Sequence, residues 1–497
     1  MEPLLLPLLV PFLFLILTLL GRKVPIFQRG LAVAGSFTLL VVTVYLLADV
    51  ARHGIRSTQI GNWPAPFGIT LVADLTSAVM LAITGVLAFL VSIYTLQGID
   101  ERQVQHGFYS LFFGLLMGVC GAFSTGDIFN LYVWFEVMLM ASFVLMALGG
   151  ERAQLEGAIK YVILNLMASG LFLSATGILY SVVGTLNMAD LSIRLRLVAS
   201  PDLVTVVAIL FLVAFGIKSA AFPLFFWLPA SYPTPPVAVT ALFSGMLSKV
   251  GVYSMMRVFT LLFVSDIAFT HTILLIMAGF TMVTGVLGAA AQYDIRRLLS
   301  FHIISQIGYM LMGLGLFSQA SLAGTIFFIA HVIASKASLF LIAGIIHRIT
   351  GSYDLRRIGG LYRTQPGLAF LFLIPALALA GLPPLSGFFG KLALVQAGLG
   401  LDQYTIVAVS LVVSLLTLFS MMKIWNEGFL KPSPPDAPPH QPAEGLKFML
   451  IAPAVVLAVV PIVMGFAPGP IYRLAEQAAA QLLNPDGYIA AVIGSLR

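Results

Sequence analysis

Four of the nine lysines in this chain, Lys218, Lys249, Lys336 and Lys391, stand in the middle of long apolar stretches, far from the polar ends of their segments. Glu136 is placed the same way, within LYVWFEVMLMASFVLM. An ionised side chain at mid-membrane costs roughly 2.5–3.5 kcal/mol on insertion scales, so such groups interact with one another, with water or with a transported ion. The chemistry open to them is acid–base. Burial disfavours the charged form of a lysine or a carboxyl, and a nearby opposite charge favours it, so bringing the two together or apart moves protons. The set points to a charge pathway inside a membrane.

Glu136 and Lys218 are the natural coupled pair, with a static ion pair between two helices as the alternative. Lys249, in ALFSGMLSKVGVYSMMRVF, is flanked by small residues that permit close helix packing. Lys336 follows His331 by five residues, about 140° around a helix, so the two do not share a face but can border one hydrated path. His331 alone reads equally as a hydrogen-bonded core histidine, and His302 is a weaker candidate still. Lys391 is placed to end the path. Asp127 and Arg152 read as solvated loop charges, and Tyr161, Ser248 and Ser305 as hydroxyls available along the way.

The elements that hold these residues must be membrane helices. Of 497 residues, 60% are hydrophobic and 9% charged, against about 25% charged in a soluble domain, and the mean hydropathy is +1.02. The net charge of +6 fits basic loops on one side of a membrane better than an acidic or nucleic-acid partner. The one cysteine, Cys120, lies in an apolar span, and the seven histidines show no ligand spacing. No cofactor or metal is therefore expected. The opening stretch EPLLLPLLVPFLFLILTLLGRK is too long for a signal peptide and reads as a retained helix.

At about 20 residues per span, the apolar runs predict an all-α polytopic membrane protein of about fourteen helices, over 3–20, 30–49, 72–96, 108–124, 128–149, 157–182, 203–229, 236–262, 269–290, 298–317, 322–347, 367–398, 402–428 and 447–467. The basic residues fall about two to one on the side reached after the first span, counting Arg257 with the loops of the opposite side; this predicts both termini outside. Residues 431–446 form a proline-rich linker, and YRLAEQAAAQLL an amphipathic stretch suited to the interface. The seventh and twelfth spans are interrupted, by Pro223 after Lys218 and by Pro383 and Pro384 before Lys391. Broken helices at membrane depth border buried protein or a wet cavity. Their spacing suggests two inverted five-helix repeats. The divisions are then residues 1–100, a three-helix segment; 108–262 and 269–428, the repeats; 429–446, a cytoplasmic loop; and 447–497, the last helix and tail.

The segment GIKSAAFPLFFWLPASYPTPPVAVTALFSGMLSKVGVYSMMR resembles the signature of the antiporter-like membrane subunits shared by Mrp cation/proton antiporters, respiratory complex I and membrane-bound hydrogenases. FNLYVWFEVMLM, YDIRRLLSFHIISQIGYM, HVIASKASLF and GLPPLSGFFGKLAL resemble it too, so the likeness runs from the fourth span to the thirteenth. It implies a fourteen-helix fold with two inverted repeats, and protons moving along a mid-membrane row. Glu136 and Lys218 would be the coupled pair, Lys249 the link to the centre, Lys336 and His331 its continuation, and Lys391 the terminal residue. Length, lysine in the twelfth span and WLPAS at 227–231, where many complex I relatives carry WLPDA, are closest to the D-type Mrp subunits. The resemblance thus implies a non-enzymatic subunit of a Na+(Li+)/H+ antiporter in the plasma (inner) membrane, partnered by A, B, C, E, F and G subunits. The alternative is a proton-pumping subunit of a redox complex, and a third reading is a scaffold whose charges only bind helices together.

Overall fold

The computed structural model of the chain describes residues 3–434 and 448–494; most of the proline-rich linker and the extreme termini lie outside them. The principal helices are α1 Leu6–Leu20, α2 Pro25–His53, α3 Leu75–Gly98, α4 Phe108–Ser124, α5 Ile128–Ala147, α6 Arg152–Val183, α7 Pro201–Ser219, α8 Val237–Leu261, α9 Ile267–Ala291, α10 Ile295–Leu316, α11 Gln319–Thr350, α12 Pro366–Ala380, α13 Ser386–Gly400, α14 Tyr404–Leu430, α15 Phe448–Phe466, α16 Pro468–Leu483 and α17 Asp486–Ile493. Among the described residues, twelve helices are long and apolar enough to cross a membrane, and α4 and α12 are shorter apolar helices. This is what a chain of such composition must do, because in lipid each backbone amide has to be satisfied within its own segment.

Loop carboxylates and glycines set the helix ends. Asp74, Asp127, Asp266 and Asp294 each accept a hydrogen bond from a first-turn backbone N–H of the helix that follows, the arrangement that satisfies otherwise orphaned donors. Gly184, Gly351 and Gly381 close α6, α11 and α12 in the left-handed conformation. α6 and α11 are longer at both ends than the apolar runs suggested. A short antiparallel hairpin, β1 Arg56–Gln59 with β2 Thr70–Ala73, lies between α2 and α3.

The bundle is centred on α8, α10 and α11, whose most apolar windows are 100%, 94% and 94% buried, against 28% and 33% for the windows of α1 and α2. Those three helices carry Lys249, His302, His331 and Lys336, so these four lie at the centre of the bundle, while Glu136, Lys218 and Lys391 stand on α5, α7 and α13 around it.

Both predicted breaks are present. α7 ends at Ser219, its cap Ala220 is left-handed, and Pro223 follows. α12 ends at Ala380, its cap Gly381 is left-handed, and Pro383 and Pro384 precede α13. Two loop junctions also match in detail. The Ile128 amide donates to Leu186 O and the Met188 amide to Gly126 O; the Ile295 amide donates to Tyr353 O and the Leu355 amide to Tyr293 O.

Candidate functional site

Lys218 is the penultimate residue of α7, where the helix dipole favours a cation. Its Nζ donates to Ser169 Oγ on α6 at 2.8 Å and lies 5.2 Å from the centroid of the Phe135 ring. Beside it is a cavity of about 10 Å³, lined by Phe135, Tyr161, Asn165, Lys218, Trp227 and Leu247 among others. That is room for about one water molecule. Tyr161 closes this space with a 2.7 Å hydrogen bond to Ser142. α8 approaches the end of α7 through Gly251, where a Cβ would lie 2.7 Å from Ser219 N and 3.0 Å from Lys218 C.

Glu136 differs from its expected setting. It is half-buried, on a face of α5 that carries the exposed Val133 and Met140. It makes no ion pair with Lys218. The two are within electrostatic reach, as are Tyr132 and Tyr161. Its Oε1 is nonetheless shielded and has no hydrogen-bond partner among the described residues. The reason is rotational: α5 turns its apolar positions, Phe135 and Leu139, to the bundle, which leaves position 136 at the edge of that face.

Lys249 lies at the kink of α8, where Met246 departs from helical geometry. Its Nζ donates to the Ser244 carbonyl at 2.5 Å. Lys336 on α11 donates to the Leu299 carbonyl of α10 at 3.1 Å, within electrostatic reach of Lys249. His331 looks the other way, as its angular offset from Lys336 requires. Its Nδ1 pairs with Ser386 Oγ at 2.8 Å, on the first turn of α13. Lys391, on the next turn of α13, reaches back across the break. It donates to Leu379 O at 3.0 Å, Ala380 O at 3.2 Å and Ser414 Oγ at 3.1 Å, 4.7 Å from the centroid of Tyr309. Ser414 also pairs with the Tyr309 hydroxyl at 2.8 Å.

A common logic emerges. Lys249 and Lys391 turn their charges to carbonyls beside a kink or break, Lys336 to a carbonyl of a neighbouring helix, and Lys218 to a hydroxyl. Among the described residues, none of the four has a carboxylate within 4.0 Å. Neutral, hydrogen-bonded partners hold each ammonium without an ion pair.

α10 supplies a polar edge that the sequence did not single out as a unit. His302, Ser305, Gln306 and Tyr309 fall at helical spacing and are all buried. His302 Nε2 pairs with Ser420 Oγ at 2.7 Å. His302 Nδ1, Ser305 Oγ and both polar atoms of the Gln306 amide have no partner among the described residues, nor has His331 Nε2. Buried polar groups in that position are the ones ordered water satisfies. Both histidines lie within electrostatic reach of Lys336 and Lys391.

Two assignments of loop charge are corrected. Arg257 is inside α8, 5% exposed, and its Nη1 meets Asp74 Oδ2 at 2.6 Å. Tyr253 and Tyr488 flank the guanidinium. Asp127 is 9% exposed, and its Oδ1 accepts from the Asn130 amide at 2.7 Å. Burial pushes its carboxyl up to about 6. Both residues sit at the ends of apolar runs, where pairing across the bundle cannot be read from spacing.

A multi-pass helical bundle with two interrupted helices and a buried row of cations on neutral partners is a class of membrane protein arranged around an internal polar path. Residues 125–417 match the family described as NADH:quinone oxidoreductase/Mrp antiporter, TM, and the chain belongs to that family. It is 48% identical to the D subunit of the Na(+)/H(+) antiporter of Alkalihalophilus pseudofirmus over 491 residues, 98% of each chain. It is 39% identical to the corresponding Na(+)/H(+) antiporter protein of Bacillus subtilis, again over 98% of each. Its fold is similar to a chain in the Mrp complex from a Dietzia species, with a TM-score of 0.92, 32% identity and 99% of both chains covered.

Proposed function

We propose that this chain is a D-type subunit of a multisubunit Mrp Na+(Li+)/H+ antiporter in the plasma membrane, and that it moves protons along the row Glu136, Lys218, Lys249, Lys336, His331 and Lys391. The observation that carries the reading is the set of four buried ammonium groups on neutral partners. Each can give up its proton without leaving a carboxylate unpaired. Glu136 modulates Lys218 by charge rather than by contact, and the unpartnered atoms of His302, Ser305, Gln306 and His331 mark where water completes the path.

The matched hydrogen bonds at 126–128 with 186–188 and at 293–295 with 353–355 support two inverted repeats, each with one broken helix. Fourteen spans follow if α4 and the α12–α13 pair each cross once. The relatives named as D-type antiporter subunits, aligned over 98% of the chain, favour this reading over a pump of a redox complex. Partner subunits of A, B, C, E, F and G type would complete the assembly.

The test is cation-dependent proton flux in vesicles containing the whole complex, followed with a pH-gradient dye after adding Na+ or Li+. Lys218→Ala at matched complex abundance should abolish flux. Retained flux removes Lys218 from the path, and loss of the complex itself favours a scaffold. Flux driven only by an electron donor in the wild type would overturn the antiporter assignment.

A further inference from the structure

Away from the charged row, a cleft of about 540 Å³ opens between the end of α1 and the start of α4, lined by Leu19, Arg22, Lys23, Gln105, His106 and Gly107. We propose that it binds the anionic headgroup of a phospholipid whose acyl chains run down α1.

Three observations converge. The first is charge: Arg22 and Lys23 are exposed, and no carboxylate among the described residues pairs with either. Arg29, nearby in sequence, is already engaged with the Ile99 carbonyl at 3.3 Å. The second is preformed shape. The Gln28 side chain, fully buried, donates to the Arg22 carbonyl at 3.0 Å, and the Val24 amide donates to Gly21 O at 3.0 Å. The loop is therefore held with both cations at the cleft. Gly107, which lines the cleft, caps α4 with no side-chain hydrogen bond, so no side chain occupies that corner of it. The third is amphiphilic continuity. Leu9, Phe12, Leu13, Ile16, Leu19 and Leu20 are exposed at helical spacing on one face of α1, an apolar track that begins at the cleft. A free anion would use the first two features and have no use for the third. A phosphodiester carrying acyl chains uses all of them, and basic pockets at the ends of membrane helices are suited to such headgroups.

The test uses the whole complex in vesicles, with Leu19→Cys carrying a fluorophore and Leu166→Cys, on the exposed face of α6, as the remote control; Cys120 is buried. Quenching by nitroxide-labelled phosphatidylglycerol is compared with quenching by nitroxide-labelled phosphatidylcholine. The expected result is a preference for the anionic lipid at position 19 and none at 166. It should fall by about five-fold for each cation removed in Arg22→Gln and in Arg22→Gln with Lys23→Gln, both exposed positions that leave the fold intact. Equal quenching by the two lipids at position 19, or a preference that survives the double substitution, overturns the proposal. A preference abolished by millimolar inorganic phosphate would assign the cleft to the free anion instead and overturn the lipid assignment.

Discussion

The ammonium of Lys391 lies 3.0 Å from the carbonyl oxygen of Leu379, across the helix break between α12 and α13. The break frees the last carbonyls of α12, and the lysine that follows it satisfies them. Lys391→Met removes that donor and leaves Leu379 O and Ala380 O unpaired, at about 1–3 kcal/mol for such a group. The melting temperature of the complex should fall and flux should stop. Lys391→Arg restores donors that do not deprotonate, so stability should recover while flux does not. Flux recovered with arginine would show that position 391 needs only a fixed charge.

Glu136 makes no hydrogen bond within the described chain through Oε1 and sits at the edge of α5. Its contribution under the proposed mechanism is therefore electrostatic. Glu136→Gln should lower flux by about ten-fold, the change that follows from a shift of about one unit in a neighbour's proton affinity, with complex abundance and melting temperature unchanged. A fall in melting temperature would place Glu136 among the structural contacts.

The Asp74–Arg257 pair is a structural lock. Removing one partner strands a buried charge, so Arg257→Ala should destabilise by about 3–5 kcal/mol. Asp74→Asn combined with Arg257→Leu keeps the helix cap and leaves no unpaired charge. The double variant should melt above Arg257→Ala alone. A double variant as unstable as the single would mean that the tyrosine packing around Arg257, and not the charge, carries the stability.

Asp127 makes a pH-dependent prediction. Its carboxyl is held up to about 6 by burial, against an ordinary 3.8. Below about pH 4 both folded and unfolded chains are protonated there and nothing is lost. Between about 4 and 6 the unfolded chain ionises first, so stability falls as pH rises, by up to about 3 kcal/mol above that range. Asp127→Asn keeps the cap and removes the penalty. Its melting temperature should exceed that of the wild type near neutrality and equal it near pH 4. A constant difference across the range would contradict the shift.

Gly387 sets how closely α13 approaches α11. A Cβ there would lie 2.9 Å from His331 Nε2 and collide with the Ala378 carbonyl. Gly387→Ala should lose assembled complex, since such overpacking costs typically 1–3 kcal/mol. Gly170→Ala on α6, where nothing lies within 4 Å, should be neutral by gel filtration.

The intramembrane lysines were legible because insertion cost isolates them: a charge amid twenty apolar residues stands out whatever its neighbours. The breaks were legible from Pro223, Pro383 and Pro384. Which way Glu136 faces was not, because a nearly uniform apolar helix carries little amphipathic signal to orient it. Asp74 and Arg257 were not legible as a pair, since each looks like an ordinary helix-end charge and they meet only through tertiary packing. Asp127 carried a readable sign, an aspartate directly before an apolar run, yet its burial depends on the loop that bridges to Asn187. The polar edge of α10 was present as spacing, but its unsatisfied atoms appear only once the surrounding helices exclude other donors.

The residues that close over Asp74 come from the far end of the chain. Gln481 accepts from the Leu75 amide at 2.8 Å, Ser57 donates to the Ala491 carbonyl at 2.5 Å, and Tyr488 covers Arg257. A ribosome delivers residues 57–75 hundreds of codons before it delivers 481–491. Until those later residues emerge, α3 therefore stands in the bilayer with its first turn and its buried carboxylate unclosed, and the bundle reaches its final state only after residues 481–491 have been delivered.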